Sequence, residues 1–317
     1  MMRCLVAIVG PTAVGKSSVS LTLARDSNGE IINADSRQIY RYMDIGTSKP
    51  SDRERAIVPH HLFDIVNPDE PFSIALYRNA ALDTIAAIQH RGNLPILVGG
   101  SGLYIWSLLE NWDVPKVPPD IPFRKQLEAQ AKEKGTDFLY RKLTGIDPVT
   151  AGRILPDNLR RIIRALEIYQ STDQIPSKLQ RKGLPFCPVL VIGLTAVRTD
   201  LYRSIDNRVD DMIKQGLIDE VKKLAALGYH RNLPSMSSIG YKQIFMYLNG
   251  EIDLPEAIRQ IKTRTHNFAR RQYAWFRPAD QRIHWFMAGE TQYGDIMILL
   301  HDFIDKVNRN KIGNGFY

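Results

Sequence analysis

A glycine-containing loop at residues 10–17, GPTAVGKS, constrains the fold of this chain more than any other feature. It fits the pattern G-x-x-x-x-G-K-[ST] and lies between an apolar run at residues 4–9 and a helical pattern at residues 18–24. In that context, backbone N–H groups surround a phosphate and the positive end of the helix points at it. We predict a phosphate-binding loop formed by Gly10, Thr12, Ala13, Val14, Gly15, Lys16 and Ser17.

The loop pattern does not identify the polyphosphate. Lys16 supplies a point charge, and the Ser17 hydroxyl is placed to hold Mg²⁺. A nucleoside triphosphate such as ATP is the usual ligand of such a nucleotide-binding loop, but a small organic diphosphate meets the same donors. Both ligand classes therefore stay open at this point.

Strand and helix patterns alternate along the chain and predict an α/β fold with a P-loop NTPase-like parallel sheet flanked by helices. Strand patterns lie at residues 30–34, 94–98, 189–194 and 282–286, with helical patterns at 72–91, 198–228 (broken near Gly216) and 254–276. In open sheets of this kind, ligand-binding groups gather at the carboxyl ends of the strands. DSRQIY at residues 35–40 and GGSGLY at residues 99–104 both follow strands and are expected at that edge.

Two polar side chains have an ordinary structural alternative. Asp35 is as well suited to capping a helix that starts at Ser36 as to lying beside the phosphate loop. Arg208 is able either to point at the sheet edge or to pair with Asp211, three residues further along the same helix.

The middle of the chain predicts an all-helical insertion domain at residues 113–187, between core segments 1–112 and 188–317. A proline-rich joint at 113–122 is followed by helical patterns at 123–134, 137–143 and 159–170, with no strand pattern among them. The last of these helices has an apolar face opposite a basic one formed by Arg160, Arg161 and Arg164. Such a face is either simply solvated or a polyanion site.

Charge distribution favours a polyanionic partner. The net charge is +8, and residues 259–282 contain seven Lys or Arg against one acid, interleaved with Phe268, Tyr273, Trp275 and Phe276. Basic residues mixed with aromatic ones are typical of a nucleic-acid surface. The apolar start of the chain has one charge and leads directly into the loop, so we expect no signal peptide. Cys4 and Cys187 lie in apolar runs and predict free buried thiols in the cytoplasm.

Three less patterned segments give weaker expectations. Residues 47–61 predict a loop, residues 63–66 a strand that follows it, and residues 306–317 a frayed polar tail.

Four motifs in order resemble the tRNA dimethylallyltransferases, the tRNA isopentenyltransferases of bacteria. They are GPTAVGKS, DSRQIY, GGSGLY and SIGYKQ at residues 238–243; DNLRRIIRALE from Asp157 and RRQYAWFR at 270–277 add to the likeness. The motifs span the whole chain. Ser101 stands where many members have Thr, and no zinc finger follows, so the chain is similar to the bacterial form.

The resemblance implies a reaction that transfers a dimethylallyl group from dimethylallyl diphosphate to N6 of adenine 37 in tRNA. It implies that the loop, Lys16 and Mg²⁺ on Ser17 neutralise the leaving diphosphate, with Asp35 as general base. It further implies that Ser101 hydrogen-bonds near the incoming base and that Arg208 clamps the diphosphate. The base has to leave its stack to be reached.

The resemblance also implies direct contacts with tRNA, a monomeric state and a location in the cytoplasm. The implied contact residues are Asp35, Ser36, Arg37, Gln38, Ser101, Arg124, Leu159, Arg160, Arg161, Ile162, Ile163, Arg164, Lys242, Gln243, Arg270 and Arg271. Three rival functions remain open from the residues: a P-loop kinase acting on a small metabolite, a nucleotide-regulated RNA-binding switch, and a prenyltransferase acting on free AMP.

Overall fold

The computed structural model describes residues 4–115, 117–179, 181–289 and 293–313, with side chains in the last segment described to residue 309. The chain divides into two compact units, Met1–Leu109 with Pro185–Tyr317, and Glu110–Leu184. The boundaries expected from the sequence, 113 and 187, differ from these by a few residues.

A parallel sheet forms the centre of the larger unit. Its strands are β1 (Leu5–Val9), β2 (Gly29–Asn33), β3 (His60–His61), β4 (Leu94–Val98), β5 (Val189–Thr195) and β6 (Ile283–Met287), in the order β3-β2-β4-β1-β5-β6. Every residue of β1 and β2 is buried. Strands that are buried along their whole length belong to parallel sheets that are covered on both faces. The α/β fold class predicted from the sequence is confirmed.

The helices, in chain order, are α1 (Lys16–Asp26), α2 (Asp52–Ile57), α3 (Ile74–His90), α4 (Gly102–Leu109), α5 (Ile121–Lys134), α6 (Thr136–Ile146), α7 (Pro148–Ala151), α8 (Leu159–Thr172), α9 (Pro176–Leu179), α10 (Arg198–Lys214), α11 (Leu217–Ala226), α12 (Tyr241–Leu248), α13 (Leu254–Trp275) and α14 (Tyr293–Gly313). A short 3₁₀ turn covers Ser235–Ser237. None of the helices in the described part of the chain has the length and apolar character that a bilayer crossing requires.

Strand register aligns three chain turns at one edge of the sheet. Asn33 of β2 pairs with Val98 of β4, and Val98 pairs with Ile8 of β1. The Ala34 N–H donates to Val98 O (2.7 Å) and the Gly99 N–H donates to Ile8 O (3.2 Å). The phosphate loop, the DSRQIY motif and the GGSGLY turn therefore leave the sheet side by side, at its carboxyl edge.

Local expectations failed in three places. The predicted loop at 47–61 contains α2, which starts at a capping box formed by Ser51 and Glu54. The strand expected at 63–66 lies earlier, at β3. The tail expected to fray from residue 306 is helical to Gly313 because one face of α14, including Val307, packs into the core; residues 314–317 lie outside the described part.

The smaller unit is built from α5 to α9 around its own apolar core. Leu127 of α5, Leu139 and Leu143 of α6, and Ile162 and Leu166 of α8 are each at most 2% exposed. The apolar stripe that the sequence places on α8 is what buries this helix against α5 and α6.

Candidate active site at the carboxyl edge of the sheet

The loop between β1 and α1 has the conformation that an anion site requires. Gly10 (φ 141°) and Gly15 (φ 93°) adopt backbone angles that favour glycine. A Cβ on Gly10 would lie 2.2 Å from Leu194 O. Helix α1 starts at Lys16, so the N–H groups of its first turn, which lack partners inside the helix, point towards the loop.

Lys16 folds back over this loop. Its Nζ donates to Pro11 O at 2.7 Å and to Gly10 O at 3.1 Å. The pKa of Lys16 is lowered to about 7, first by burial and then by the nearby charge of Arg208, with Asp35 partly offsetting the shift. Because a bound anion favours the charged amine, the site is built to take up a proton together with an anionic ligand.

Arg208 of α10 lies against the phosphate loop. Its Nη1 donates to Thr12 Oγ1 at 3.5 Å, and burial lowers the pKa of its guanidinium. The alternative partner, Asp211, accepts a hydrogen bond from Lys214 instead. The structure therefore places Arg208 and Lys16 as two cations beside one loop.

Asp35 follows β2 and does not cap a helix. Its Oδ1 accepts the Arg37 N–H at 2.8 Å in a short turn that no helix follows, so the capping alternative is wrong. Asn33 holds it from behind: Asn33 Oδ1 accepts the Asp35 N–H (2.8 Å), and Nδ2 donates to Asp35 O (3.1 Å). Asn33 is 1% exposed. Our sequence reasoning missed this residue, although an amide at the end of an apolar strand was a usable signal.

Ser101 joins the two turns that flank Asp35. Its Oγ accepts the Ser36 N–H at 3.0 Å and donates to Ser36 Oγ at 3.3 Å. Next to it, Tyr104 stacks on Tyr77 with ring centroids 3.8 Å apart. Burial raises the pKa of both phenols, with Asp35 adding to the effect. Both rings therefore stay neutral beside the carboxylate.

The other side chains of the DSRQIY motif hold neighbouring loops. Arg37 Nη1 donates to Pro234 O at 3.0 Å, and Gln38 Nε2 donates to Thr47 O and Ser48 O. Both side chains are half-buried.

The SIGYKQ motif has a structural role that the sequence did not reveal. Gln243 is 1% exposed and its Oε1 accepts the Gly240 N–H, so its side chain caps α12 rather than facing RNA. Tyr241 donates its hydroxyl to Glu220. The same Glu220 carboxylate accepts the N–H groups of residues 44–46, a loop that follows the DSRQIY motif. In the motif, Lys242 is exposed.

In the smaller unit, called the helical unit below, some of the predicted RNA-contacting residues are buried and others are exposed. Ile162 and Ile163 are at most 5% exposed and belong to the apolar core, so their side chains are not available to RNA. Leu159 is half-buried and packs against that core. Arg160 and Arg161 are exposed.

Arg124 and Arg164 bind a buried acid instead of facing outwards. Both pair with Glu167, whose side chain is fully buried. Burial alone would raise the pKa of Glu167, but the hydrogen bonds from the two arginines lower it to about 2. The basic face expected on α8 is thus reduced to Arg160 and Arg161, because Arg164 fulfils a structural role.

Helix α13 presents different residues to different sides. Arg270 and Arg271 are exposed, in agreement with a surface role, whereas Gln272 and Ala269 are buried. Trp275 packs on Gly102, where a Cβ would lie 2.2 Å from its ring.

The site offers few protein ligands for a cation. Within the described residues there is no cluster of three or more His, Cys, Asp or Glu that could hold a metal ion. The exposed Ser17 hydroxyl has no hydrogen-bond partner among the described residues. One hydroxyl suits Mg²⁺, which usually keeps several waters and takes further oxygens from substrate phosphates. A cavity of about 30 Å³ adjoins Ser17, between α1 and the faces of β2 and β4.

Comparison with known proteins gives consistent results. A family profile described as IPP transferase matches residues 38–279, and one described as isopentenyl transferase matches residues 3–58. The tRNA dimethylallyltransferase of Roseiflexus castenholzii is 54% identical over 276 residues, covering 86% of this chain and 89% of that protein. That of Chloroflexus aurantiacus is 50% identical over 277 residues, covering 87% and 93%.

Solved structures agree with the sequence relatives. The full-length tRNA isopentenylpyrophosphate transferase of Bacillus halodurans gives a TM-score of 0.72 at 40% identity, covering 98% of this chain and 99% of that one. A eukaryotic dimethylallyltransferase, solved in snapshots of its action on tRNA, gives a TM-score of 0.82 at 31% identity, covering 96% and 80%.

Proposed function

This chain belongs to the family of IPP transferases and transfers a dimethylallyl group to tRNA, and we propose that the donor is dimethylallyl diphosphate and the acceptor N6 of adenine 37. The supporting observation is the assembly at one sheet edge: an anion-binding loop with two cations, Lys16 and Arg208, close to the carboxylate of Asp35. A group transfer with an anionic leaving group and a weakly nucleophilic amine needs these components.

The loop holds the leaving group. Amides of the first turn of α1, the Lys16 amine and the Arg208 guanidinium bind the diphosphate oxygens. The bond between C1 of the dimethylallyl group and the bridging oxygen breaks, and its electron pair stays on the diphosphate. Charge that develops there meets cations held in place before the reaction starts.

Asp35 handles the proton. N6 of the adenine forms the new bond to C1, and the proton that N6 loses passes to the Asp35 carboxylate. Asn33 and the turn to Arg37 hold Asp35 in position through hydrogen bonds to its backbone and side chain. Ser101, whose hydroxyl is hydrogen-bonded to Ser36 in this structure, orients the incoming base.

Mg²⁺ fits this site through the Ser17 hydroxyl together with diphosphate oxygens and water. It would supply further neutralisation of the leaving group.

The exposed basic residues are the proposed tRNA contacts: Arg160 and Arg161 on α8, Lys242 on α12, and Arg270 and Arg271 on α13. Because adenine 37 is stacked in the anticodon loop, it has to be flipped out to reach Asp35. We propose that the enzyme acts as a monomer in the cytoplasm.

Incubation of the purified protein with tRNA, dimethylallyl diphosphate and Mg²⁺, followed by nucleoside mass analysis, tests the proposal. We expect an adenosine heavier by one dimethylallyl group, located at position 37. Parallel reactions with ATP and with free AMP test the rivals. Loss of the ATP γ-phosphate without RNA modification would favour a kinase, prenylated AMP would favour a free-nucleotide enzyme, and RNA of unchanged mass that binds in response to ATP would favour a switch.

A further inference from the structure

Gln272 of α13 lies between the two glycine-containing turns of the site. Its Oε1 accepts the Thr12 N–H at 2.8 Å, and its Nε2 donates to Gly100 O at 3.0 Å. The residue is 3% exposed. Both ends of one buried amide therefore bind backbone groups of loops that contribute to the site.

The bond to Thr12 also reaches Lys16. The Thr12 N–H and the Pro11 carbonyl belong to one planar trans peptide unit, so they point in opposite directions. Gln272 binds the N–H side of this unit, and Lys16 Nζ donates to the carbonyl side at 2.7 Å. A rotation of the peptide plane would break both bonds together. Gln272 thereby fixes the surface on which the Lys16 amine rests.

The glycine at position 100 is adapted to this side chain. A Cβ built on Gly100 would lie 2.0 Å from Gln272 Nε2, the closest atom to it. No side chain fits there while Gln272 keeps its place, so the amide and the glycine depend on each other.

Gln272 is itself held by its neighbours on α13. The Tyr273 hydroxyl shares a hydrogen bond with Thr195 Oγ1 at the end of β5 (2.8 Å), and Trp106 Nε1 donates to Trp275 O (2.9 Å). The last turn of α13, just after Gln272, is thus attached at Tyr273 to the end of β5 and at Trp275 to α4.

We propose that Gln272 is a positioning residue for the transfer reaction: it holds the phosphate loop and the GGSGLY turn at a fixed separation and orients the peptide unit that supports Lys16. This inference rests on the proposed function only in its kinetic readout. Its binding readout needs a diphosphate and no tRNA.

The test uses Gln272→Met, which keeps the size and removes both hydrogen bonds. We expect kcat/KM for dimethylallyl diphosphate to fall about 10- to 100-fold, since the loop loses its orientation. We expect KM for tRNA to change less than about threefold, because the exposed face of α13 is untouched. Gln260→Met is the matched control; this glutamine lies on the same helix, and among the described residues its side chain hydrogen-bonds only to Glu256, one turn away.

Gly100→Ala disrupts the same contact between Gln272 and the GGSGLY turn while leaving the Gln272 side chain unchanged. We expect a similar loss, and we expect the double variant with Gln272→Met to lose little more than either single one, because both changes break one interaction. This pair also covers the case in which Gln272→Met fails to fold.

Calorimetric titration with inorganic diphosphate separates this proposal from the proposed function. We expect weaker diphosphate binding in Gln272→Met than in the parent chain and the Gln260→Met control. Full diphosphate affinity and unchanged kinetics in a variant with a lowered melting temperature would show that Gln272 only stabilises the fold. Absence of transfer by the parent chain, with the binding difference retained, would overturn the proposed function and leave the positioning role standing.

Discussion

At the scale of single residues, the site depends on the burial of the Lys16 amine and on the hydrogen bonds that position Asp35. Lys16 is half-buried beside another cation, so its charge is costly without an anion. Asp35 is held through its own backbone by Asn33, which leaves the carboxylate placed but not enclosed. Both arrangements have measurable consequences.

Lys16 predicts proton uptake on ligand binding. With a pKa near 7 in the free protein, the amine is mostly neutral at pH 8 and mostly charged at pH 6. A bound diphosphate raises that pKa, so binding at pH 8 takes up as much as about one proton and binding at pH 6 much less. Calorimetry in buffers of different ionisation enthalpy measures this number.

The control for this prediction is Lys16→Met, which should bind diphosphate weakly and without the proton uptake at pH 8. It should also lose nearly all turnover while keeping the fold. Wild-type turnover in this variant would contradict the assignment of the loop as the diphosphate site.

Asp35→Asn should keep both substrates and lose the chemical step, since an amide cannot accept the N6 proton. The expected drop in single-turnover rate is about 10²- to 10⁴-fold. Asp302→Asn, an exposed acid on α14, serves as the control. An unchanged single-turnover rate together with lost tRNA affinity would assign Asp35 to positioning instead.

At the scale of elements, α8 shows how burial divides one helix into a structural and a surface part. Its apolar stripe forms the core of the helical unit, and Arg164 is drawn onto Glu167 beside Arg124. Breaking one partner of a buried ion pair leaves an uncompensated charge, so Arg164 and Arg160 should respond differently to substitution.

Replacement of Arg160 and Arg161 together by Gln should weaken tRNA binding. Each lost phosphate contact removes released counterions, so the slope of log K against log salt should become shallower by about 1.5. Fluorescence titrations at several salt concentrations provide the slope. Arg141→Gln with Lys142→Gln on α6 removes the same charge and should leave the slope unchanged.

Arg164→Gln should instead lower the melting temperature, because Glu167 keeps its burial and loses a partner.

An unchanged salt slope in the Arg160 and Arg161 double variant would mean that this face of α8 is simply solvated.

At the scale of the whole molecule, the reacting groups share one sheet edge of the larger unit, whereas the exposed basic residues lie on helices of both units, α8, α12 and α13. The dimethylallyl group is small and apolar, and an allyl cation is captured readily by water. If dimethylallyl diphosphate binds first, the flipped base then covers the dimethylallyl group and excludes water from it.

We predict that the enzyme hydrolyses dimethylallyl diphosphate slowly without tRNA, and that bound tRNA slows escape of the diphosphate. Release of inorganic diphosphate from the enzyme alone, compared with the single-turnover transfer rate, provides the measurement. Rapid hydrolysis by the enzyme alone would show that the site is open to water and that the base is not its cover.

The sequence by itself determined the local features. The apolar run, glycine loop and helix start at β1 and α1 follow from residues that are neighbours in the chain, and strand β4 was predicted with its observed bounds, 94–98. The edge of the sheet on which Asp35 and Ser101 meet also followed, because the carboxyl ends of parallel strands share one side.

Only the tertiary structure decided which polar residues bind one another. Thr12 and Gln272 are 260 positions apart, and Glu220 lies more than 170 positions from the loop that it holds. Arg124 and Arg164 are basic residues of the type that a nucleic-acid surface uses. In the structure, both instead form ion pairs with the buried carboxylate of Glu167. Periodicity records which face of an element is apolar. The partner of a buried polar group is set by the packing of distant segments, and no local pattern encodes it.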